Sequence, residues 1–300
     1  MNILVLGGNG FIGRNVVKAL NKSNAQLFIG TRKESKDKRI FTIKLQEMQE
    51  AINWLKLLQD IDVVVNCVGI LRERKHESYE AIHSVAPAAL ASACQKLGVR
   101  FIHISALGLS LNAKSNFIQS KYLGEQAVLA IGGNAIIVRP SLLDGEGGYG
   151  AKWFRYLANW PVHFAMRTEG LIAPLQVEDL GEAIANLCQM PAAELPTIVE
   201  LGGGETINIP QYLAKLRATI GKKPALQIIV PKLLVRLASH IFDILKWTPL
   251  SFGHYELMQG YNAPNINMLP ELLGRKPSEL GIMGPAVDNE LSELNGIKPI

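Results

Sequence analysis

The chain has 300 residues, 48% of them hydrophobic and 19% charged, with a formal net charge of +5; this is a globular composition, able to bury a large core in one unit or two lobes. No Lys/Arg block is interleaved with aromatics as a nucleic-acid groove requires, so no nucleic-acid partner is expected. No apolar run reaches the roughly 18 to 20 uncharged residues of a membrane span, and the isolated Cys67, Cys94 and Cys188 with six scattered histidines predict reduced core thiols and no metal site.

The first strand opens at Asn2, which predicts a cytoplasmic protein without a leader if Met1 is its start, one that can still lie peripherally against a membrane. The apolar run at 2–6 enters Gly7-Gly8-Asn9-Gly10-Phe11-Ile12-Gly13 and then a helix over 12–22. Gly7, Gly10 and Gly13 stand where a chain leaving a buried strand must turn sharply, approach a pyrophosphate closely and pack the next helix on the sheet. Amides at the helix start, near Phe11 and Ile12, then point at the phosphates, so the motif predicts a nicotinamide dinucleotide site.

A second strand, 26–30, ends in Thr31-Arg32-Lys33, with no acid before Glu34. An acid at this place binds the ribose hydroxyls of NAD(H), whereas Arg32 can stack on adenine and pair with a 2′-phosphate, with Lys33 as a second cation. NADP(H) is therefore favoured over NAD(H), the alternative being a solvated charged loop. The third strand is predicted over 40–45, a helix to about Gln59, and a buried strand within 61–69, ending in Val68 and Gly69, which are candidates for cofactor contact. A helix over 78–97, a strand over 100–105, a helix over 116–131 and a strand over 135–139 complete six alternations.

This pattern specifies an α/β fold, a doubly wound parallel Rossmann sheet with a smaller, mostly helical C-terminal lobe. Residues 1–142 with 171–205 are assigned to the dinucleotide-binding domain and 143–170 with 206–300 to a substrate or partner lobe. Further strands are expected at 171–176 and 197–201 around a helix over 178–190, and prolines break the helices after Ile209. Asp179 is expected to cap its helix and anchor the lobes, and His103 to be a satisfied core histidine. The aromatic face Trp153, Phe154, Tyr156, Leu157, Trp160 reads as lobe packing, with an apolar small molecule or quinone as the sharper alternative. Residues 231–247 form an amphipathic helix with a wide apolar face, read as burial or as docking on a membrane surface or partner protein.

Taken together, Gly7-x-x-Gly10-x-x-Gly13, Asn66-Cys67-Val68-Gly69, Ser105, Lys121, Arg139-Pro140-Ser141 and Leu175–Leu180 resemble the extended and atypical branch of the short-chain dehydrogenase/reductase superfamily, the epimerase/dehydratase-like proteins. Ser105-Ala106-Leu107-Gly108 with Val138–Ser141, and less specifically the Leu-Leu-Gly-Arg-Lys-Pro segment, are most similar to the group containing the nucleotide-binding accessory subunit of respiratory complex I. The resemblance implies that Ser105 holds a substrate oxygen, that Lys121 binds the nicotinamide ribose, and that Arg139 is architectural. It also implies a tyrosine four residues before Lys121, on the same helical face. Phe117 stands there, and a phenyl ring has no proton to give. Relatives carry an aspartate near the adenine where this chain has Gln46. The expectation is an NADP(H)-binding atypical member lacking the usual tyrosine, acting as an accessory or redox-sensing protein. The alternatives are an NAD(P)-dependent oxidoreductase or epimerase with another proton donor, Tyr79 or Tyr149, and a scaffold that binds no nucleotide.

Overall fold

The computed structural model describes residues 1–166, 170–194, 196–245 and 251–281. The end of the predicted 231–247 helix and the last part of the 206–300 lobe fall outside them. The first half runs β1 (Asn2–Leu6), α1 (Phe11–Leu20), β2 (Gln26–Thr31), β3 (Ile40–Thr42), α2 (Ala51–Leu55), β4 (Val63–Asn66), α3 (Ala86–Leu97), β5 (Arg100–Ile104), α4 (Asn116–Ile131) and β6 (Ala135–Pro140). Then come β7 (Leu143–Asp144), α5 (Tyr149–Ala158), β8 (Val162–Met166), β9 (Leu171–Ile172), β10 (Leu175–Gln176), α6 (Val177–Gln189) and β11 (Ile198–Leu201). The chain continues through α7 (Ile209–Thr219), β12 (Leu226–Val230), α8 (Lys232–Leu245), α9 (Phe252–Gln259), β13 (Tyr261–Asn262) and α10 (Leu269–Leu273).

Seven strands form one parallel sheet in the order β11-β6-β5-β4-β1-β2-β3. The order reverses direction between β1 and β4, and ligands of doubly wound sheets bind in the crevice beyond the carboxyl ends of such strands. Both faces are covered, which is why the strands read as nearly unbroken apolar runs. On β1, Ile3 and Val5 enter one core with Val16, Leu20 and the α6 residues Leu180, Ile184 and Leu187. Their neighbours Leu4 and Leu6 enter the other, with Trp54, Leu58 and Leu90. Each such side chain fully buried contributes about 1.5–3 kcal/mol.

Several boundaries differ from the sequence reading, each for a local reason. The third strand stops at Thr42 because Leu45–Glu47 close a tight 3-10 turn. The predicted 78–97 helix begins as a π-helical turn, Glu80–Val85, and becomes α-helical at Ala86. Pro87 lacks an N–H and would clash with the carbonyl of residue 83 in a regular α-turn; the wider turn relieves this. α4 packs against this turn so closely that a Cβ on Gly124 would lie 1.7 Å from the His83 carbonyl oxygen.

The region after Pro140 is less helical than predicted. The expected 171–176 strand is two short ones, β9 and β10, which pair with β13 and β7. β12, not anticipated, pairs in parallel with β8, Ile228 opposite Phe164; its five residues sit between Pro224 and Pro231 and carry no alternation to mark them. A third core joins Phe154, Ala158, Ile172, Ile207, Tyr212, Leu213 and Leu216.

Candidate nucleotide and substrate site

The glycine turn has the geometry of a phosphate cradle. Gly7 adopts φ +72°, the left-handed region that side chains disfavour, and its amide donates to the Gly30 carbonyl on β2 (2.8 Å). The Gly10 amide returns to the Gly7 carbonyl (2.8 Å). A Cβ on Gly13 would lie 2.1 Å from that same oxygen, so only glycine lets α1 start this close to the strand. Gly10 gives α1 no side-chain cap, and no acid lies in its first turn. By contrast, Asn208 and Ser251 cap α7 and α9. The Phe11, Ile12 and Gly13 amides thus sit in a helix turn whose N–H groups need an external acceptor. These residues fit a dinucleotide pyrophosphate.

Lys121 and Phe117 lie one turn apart on α4. The Lys121 Nζ stands 4.0 Å from where a Cβ on Gly69 would be, and His83 Nε2 3.8 Å from it. The helix lysine therefore meets the loop that carries Val68 and Gly69 after β4. Asn66, the last residue of β4, holds that loop by accepting from the Val68 amide (3.1 Å) and donating to His103 Nδ1 (3.1 Å). Phe117 is 8% exposed and its ring meets Tyr79, His83 and His254. Phe117 and Tyr79 share a hollow of about 330 Å³ with Arg72, Lys114, His240 and Phe252.

The charges here are strongly shaped by burial. Desolvation lowers the Lys121 ammonium to about 8, against the opposing pull of Glu125. His83 is held well below 6.5, first by burial and then by Lys121, and His103 is brought down to about 3 for the same two reasons. His83 Nε2 accepts from the Ile70 amide (3.1 Å), so Nδ1 carries the hydrogen and donates to Ser120 Oγ (3.0 Å). The Ser120 hydroxyl passes its own hydrogen to the Phe117 carbonyl (3.0 Å). A neutral histidine thus ties α4 to the loop.

Ser105 is placed differently from what a substrate-holding serine requires. It is buried, and its hydroxyl donates to Glu125 Oε2 (2.7 Å). Arg139 pairs with the same carboxylate through Nε and Nη2, and more loosely with Glu200 (3.5 Å). Arg32 is exposed and pairs with Glu77 (2.5 Å); Lys33 is also exposed, its amide held by Thr31 Oγ1 (3.4 Å). Gln46 Oε1 accepts the Ser78 amide (3.0 Å). Asp179 receives Arg275 Nη2, the Ser278 amide and the Ser278 hydroxyl, so it anchors the 275–278 segment on α6. Tyr149 begins α5, half exposed.

Three contributors escaped the sequence reading. Glu125 is the only acid on α4, and its spacing four residues after Lys121 was the available signal. Glu77 had none. Arg14 lies just past the glycine motif; its guanidinium meets the Glu146 carbonyl, and a Cβ on Gly148 would lie 2.6 Å from the Phe11 ring. The glycine-rich loop therefore closes over the start of α1. The three cysteines are free, and burial pushes the Cys94 and Cys188 thiols up to about 12. Among the described residues, no group of His, Cys, Asp or Glu could hold a metal ion.

A family model described as NAD dependent epimerase/dehydratase matches residues 3–160, more than half of the chain. Among curated proteins, the chain is 30% identical over 208 residues to NADH dehydrogenase (ubiquinone) 1 alpha subcomplex subunit 9, mitochondrial, of Rattus norvegicus, covering 63% of this chain and 53% of that one. It is 25% identical over 198 residues to the ceramide reductase of Caulobacter vibrioides, covering 64% and 62%. The match thus spans about half the length of the mitochondrial relative. Among solved structures, a nucleoside-diphosphate-sugar epimerase from Staphylococcus aureus superposes with TM-score 0.70 at 16% identity, covering 94% of this chain and 98% of that one. UDP-glucuronic acid 4-epimerase from Bacillus cereus, solved in complex with UDP-glucuronic acid and NAD, superposes with TM-score 0.65 at 17% identity, covering 93% and 95%.

Proposed function

This chain belongs to the NAD dependent epimerase/dehydratase family, and on that premise we propose that it is an NADP(H)-binding member without the tyrosine-dependent proton step, serving as a nucleotide-binding accessory or redox-sensing protein. The amides of Phe11, Ile12 and Gly13, reached past Gly7 and Gly10, hold the pyrophosphate. Arg32 and Lys33 meet the 2′-phosphate, and Lys121 with Val68 and Gly69 bounds the nicotinamide ribose. When bound, the nucleotide supplies a hydride acceptor or donor. The observation that carries the reading is Phe117: the group one turn before Lys121 is a buried ring with no exchangeable proton, and Ser105 is committed to Glu125. Similarity to a mitochondrial NADH dehydrogenase subunit supports an accessory role, and the exposed rings of Tyr156 and Trp160 at the end of α5 support an apolar or quinone ligand.

Thermal melting with NADPH, NADP, NADH and NAD tests this. A nucleotide at one hundred times its dissociation constant stabilises the native state by about 2.7 kcal/mol. Shifts led by NADPH and NADP support the reading, and no shift with any of the four, in protein free of copurified nucleotide, overturns it. A second reading, an oxidoreductase or epimerase with another proton donor, is favoured by Tyr79, whose ring lies 5.8 Å from Phe117. Its phenol donates to the Leu71 carbonyl (2.9 Å). Substrate-dependent NADPH turnover that disappears in Tyr79→Phe would establish it in place of the first.

A further inference from the structure

α8 wears its apolar face outward. Leu233, Leu234, Leu237 and Ile241, one stripe at helical spacing, are between 44% and 73% exposed, while Ser239 is fully buried. The helix meets α9, where His240 stacks on Phe252 (4.3 Å), and burying its leucines against the sheet is not how it is used. Beside it in the chain, β12 exposes Leu226, Ile228 and Ile229, and Phe164, the register partner of Ile228, is exposed too. So many large apolar side chains open to solvent on neighbouring elements mark an interaction surface, not scattered surface residues.

The charges along this stretch of chain are mostly of one sign. Lys222, Lys223, Lys232 and Arg236 are all exposed, and residues 206–242 contain no Asp or Glu, the one acid in the sequence of α8 being Asp243 near its end. A second copy of the chain would bring one cationic patch against another, since a two-fold interface pairs the same patch on both copies. Exposed leucines flanked mostly by cations suit a partner that is apolar below a negative surface.

We propose that β12 and α8 form a peripheral docking surface for an anionic phospholipid bilayer. Leu226 and Ile228, which share one face of β12, enter the boundary between headgroups and acyl chains with Leu233 and Leu237, and the four cations meet lipid phosphates. No helix among the described residues is long and apolar enough to cross a membrane, so the association lies on the surface. It is independent of nucleotide binding, and either can fail alone.

The test is flotation of the full chain with vesicles of phosphatidylcholine alone and of equal parts phosphatidylcholine and phosphatidylglycerol. The protein is expected to float with the anionic vesicles and to remain behind with the neutral ones. Lys232→Glu with Arg236→Glu, both exposed, should weaken partitioning more than tenfold, since each cation near such a surface is worth about fivefold. Leu233→Ser with Leu237→Ser should abolish flotation while leaving the melting temperature near that of the parent. Three results would overturn the proposal. They are failure to float with anionic vesicles, flotation undiminished in the leucine variant, and a dimer in sedimentation equilibrium that the leucine variant splits while the parent ignores vesicles.

Discussion

The Ser105 hydroxyl donates a 2.7 Å hydrogen bond to Oε2 of Glu125, a carboxylate that also receives the Arg139 guanidinium. Strand β5, helix α4 and strand β6 are thereby joined through one buried anion. Glu125 is 1% exposed, and leaving Arg139 without it costs far more than losing a single hydroxyl. Ser105→Ala should lower stability by about 1 kcal/mol and leave nucleotide affinity unchanged, whereas Glu125→Ala should lower it by about 3 kcal/mol or more. Urea unfolding of both variants with nucleotide titration checks this; a large affinity loss in Ser105→Ala would return the serine to the binding site.

The proposed NADP(H) preference turns on Arg32 and its partner Glu77. The arginine is exposed and its present partner is a carboxylate 2.5 Å away, so a 2′-phosphate must compete with Glu77. Arg32→Ala should weaken NADPH about tenfold, the value of one charge-assisted hydrogen bond, and leave NADH nearly unchanged. Glu77→Gln should act in the opposite direction, tightening NADPH severalfold. Calorimetric titration of both nucleotides against both variants decides it, and equal losses for NADPH and NADH in Arg32→Ala would remove the arginine from the phosphate.

Local chemistry explains what could be read from the chain. The cradle was legible because Gly7, Gly10 and Gly13 are required by backbone geometry within seven residues, and a Cβ on Gly13 would strike the Gly7 carbonyl. The Rossmann sheet was legible because strands buried on both faces must be apolar at consecutive positions. Phe117 could be placed because its spacing from Lys121 is one helical turn. Ser105 was harder: its side-chain direction depends on Glu125, twenty residues on, and nothing local announces that pairing. Glu77 meets Arg32 across a loop for the same reason. β12 was hidden because it pairs only with β8, sixty-odd residues earlier, and exposes four of its five residues, so it lacks the alternation of a half-buried strand.

Buried neutral histidines make the fold sensitive to acid, His83 and His103 most strongly. His83 is held well below its ordinary pKa and His103 is lowered to about 3. Below pH 6.5 the unfolded chain takes up protons that the folded chain refuses, so stability present above that value falls as pH falls, until His103 itself charges near pH 3. The slope is about 1.4 kcal/mol per pH unit for each histidine. His103→Gln should therefore lose about 2 kcal/mol less than the parent between pH 6.5 and 5. Urea midpoints at the two pH values measure it, and parallel losses in parent and variant would show that His103 is already charged or solvated in the fold.

Lys121 carries the opposite relation between stability and function. Its ammonium is desolvated, with a pKa of about 8 in place of 10.5, although Glu125 one turn on favours the charged form. Below pH 8 the lysine is charged in both folded and unfolded chains, and the fold bears the full cost of enclosing it. Between pH 8 and 10.5 the unfolded chain holds a proton that the folded chain has released, so stability rises with pH through that window and levels above it. Methionine has the same reach without the charge. Lys121→Met should stabilise the protein by about 1 to 3 kcal/mol at pH 7, flatten the rise between pH 8 and 10, and weaken nucleotide binding about tenfold for want of a donor to the ribose. Thermal melts at pH 7 and 10, each with and without NADPH, separate the parts. A variant less stable than the parent at pH 7 would mean that the ammonium is well satisfied by Glu125. A more stable variant with full affinity would mean that the lysine does not touch the nucleotide.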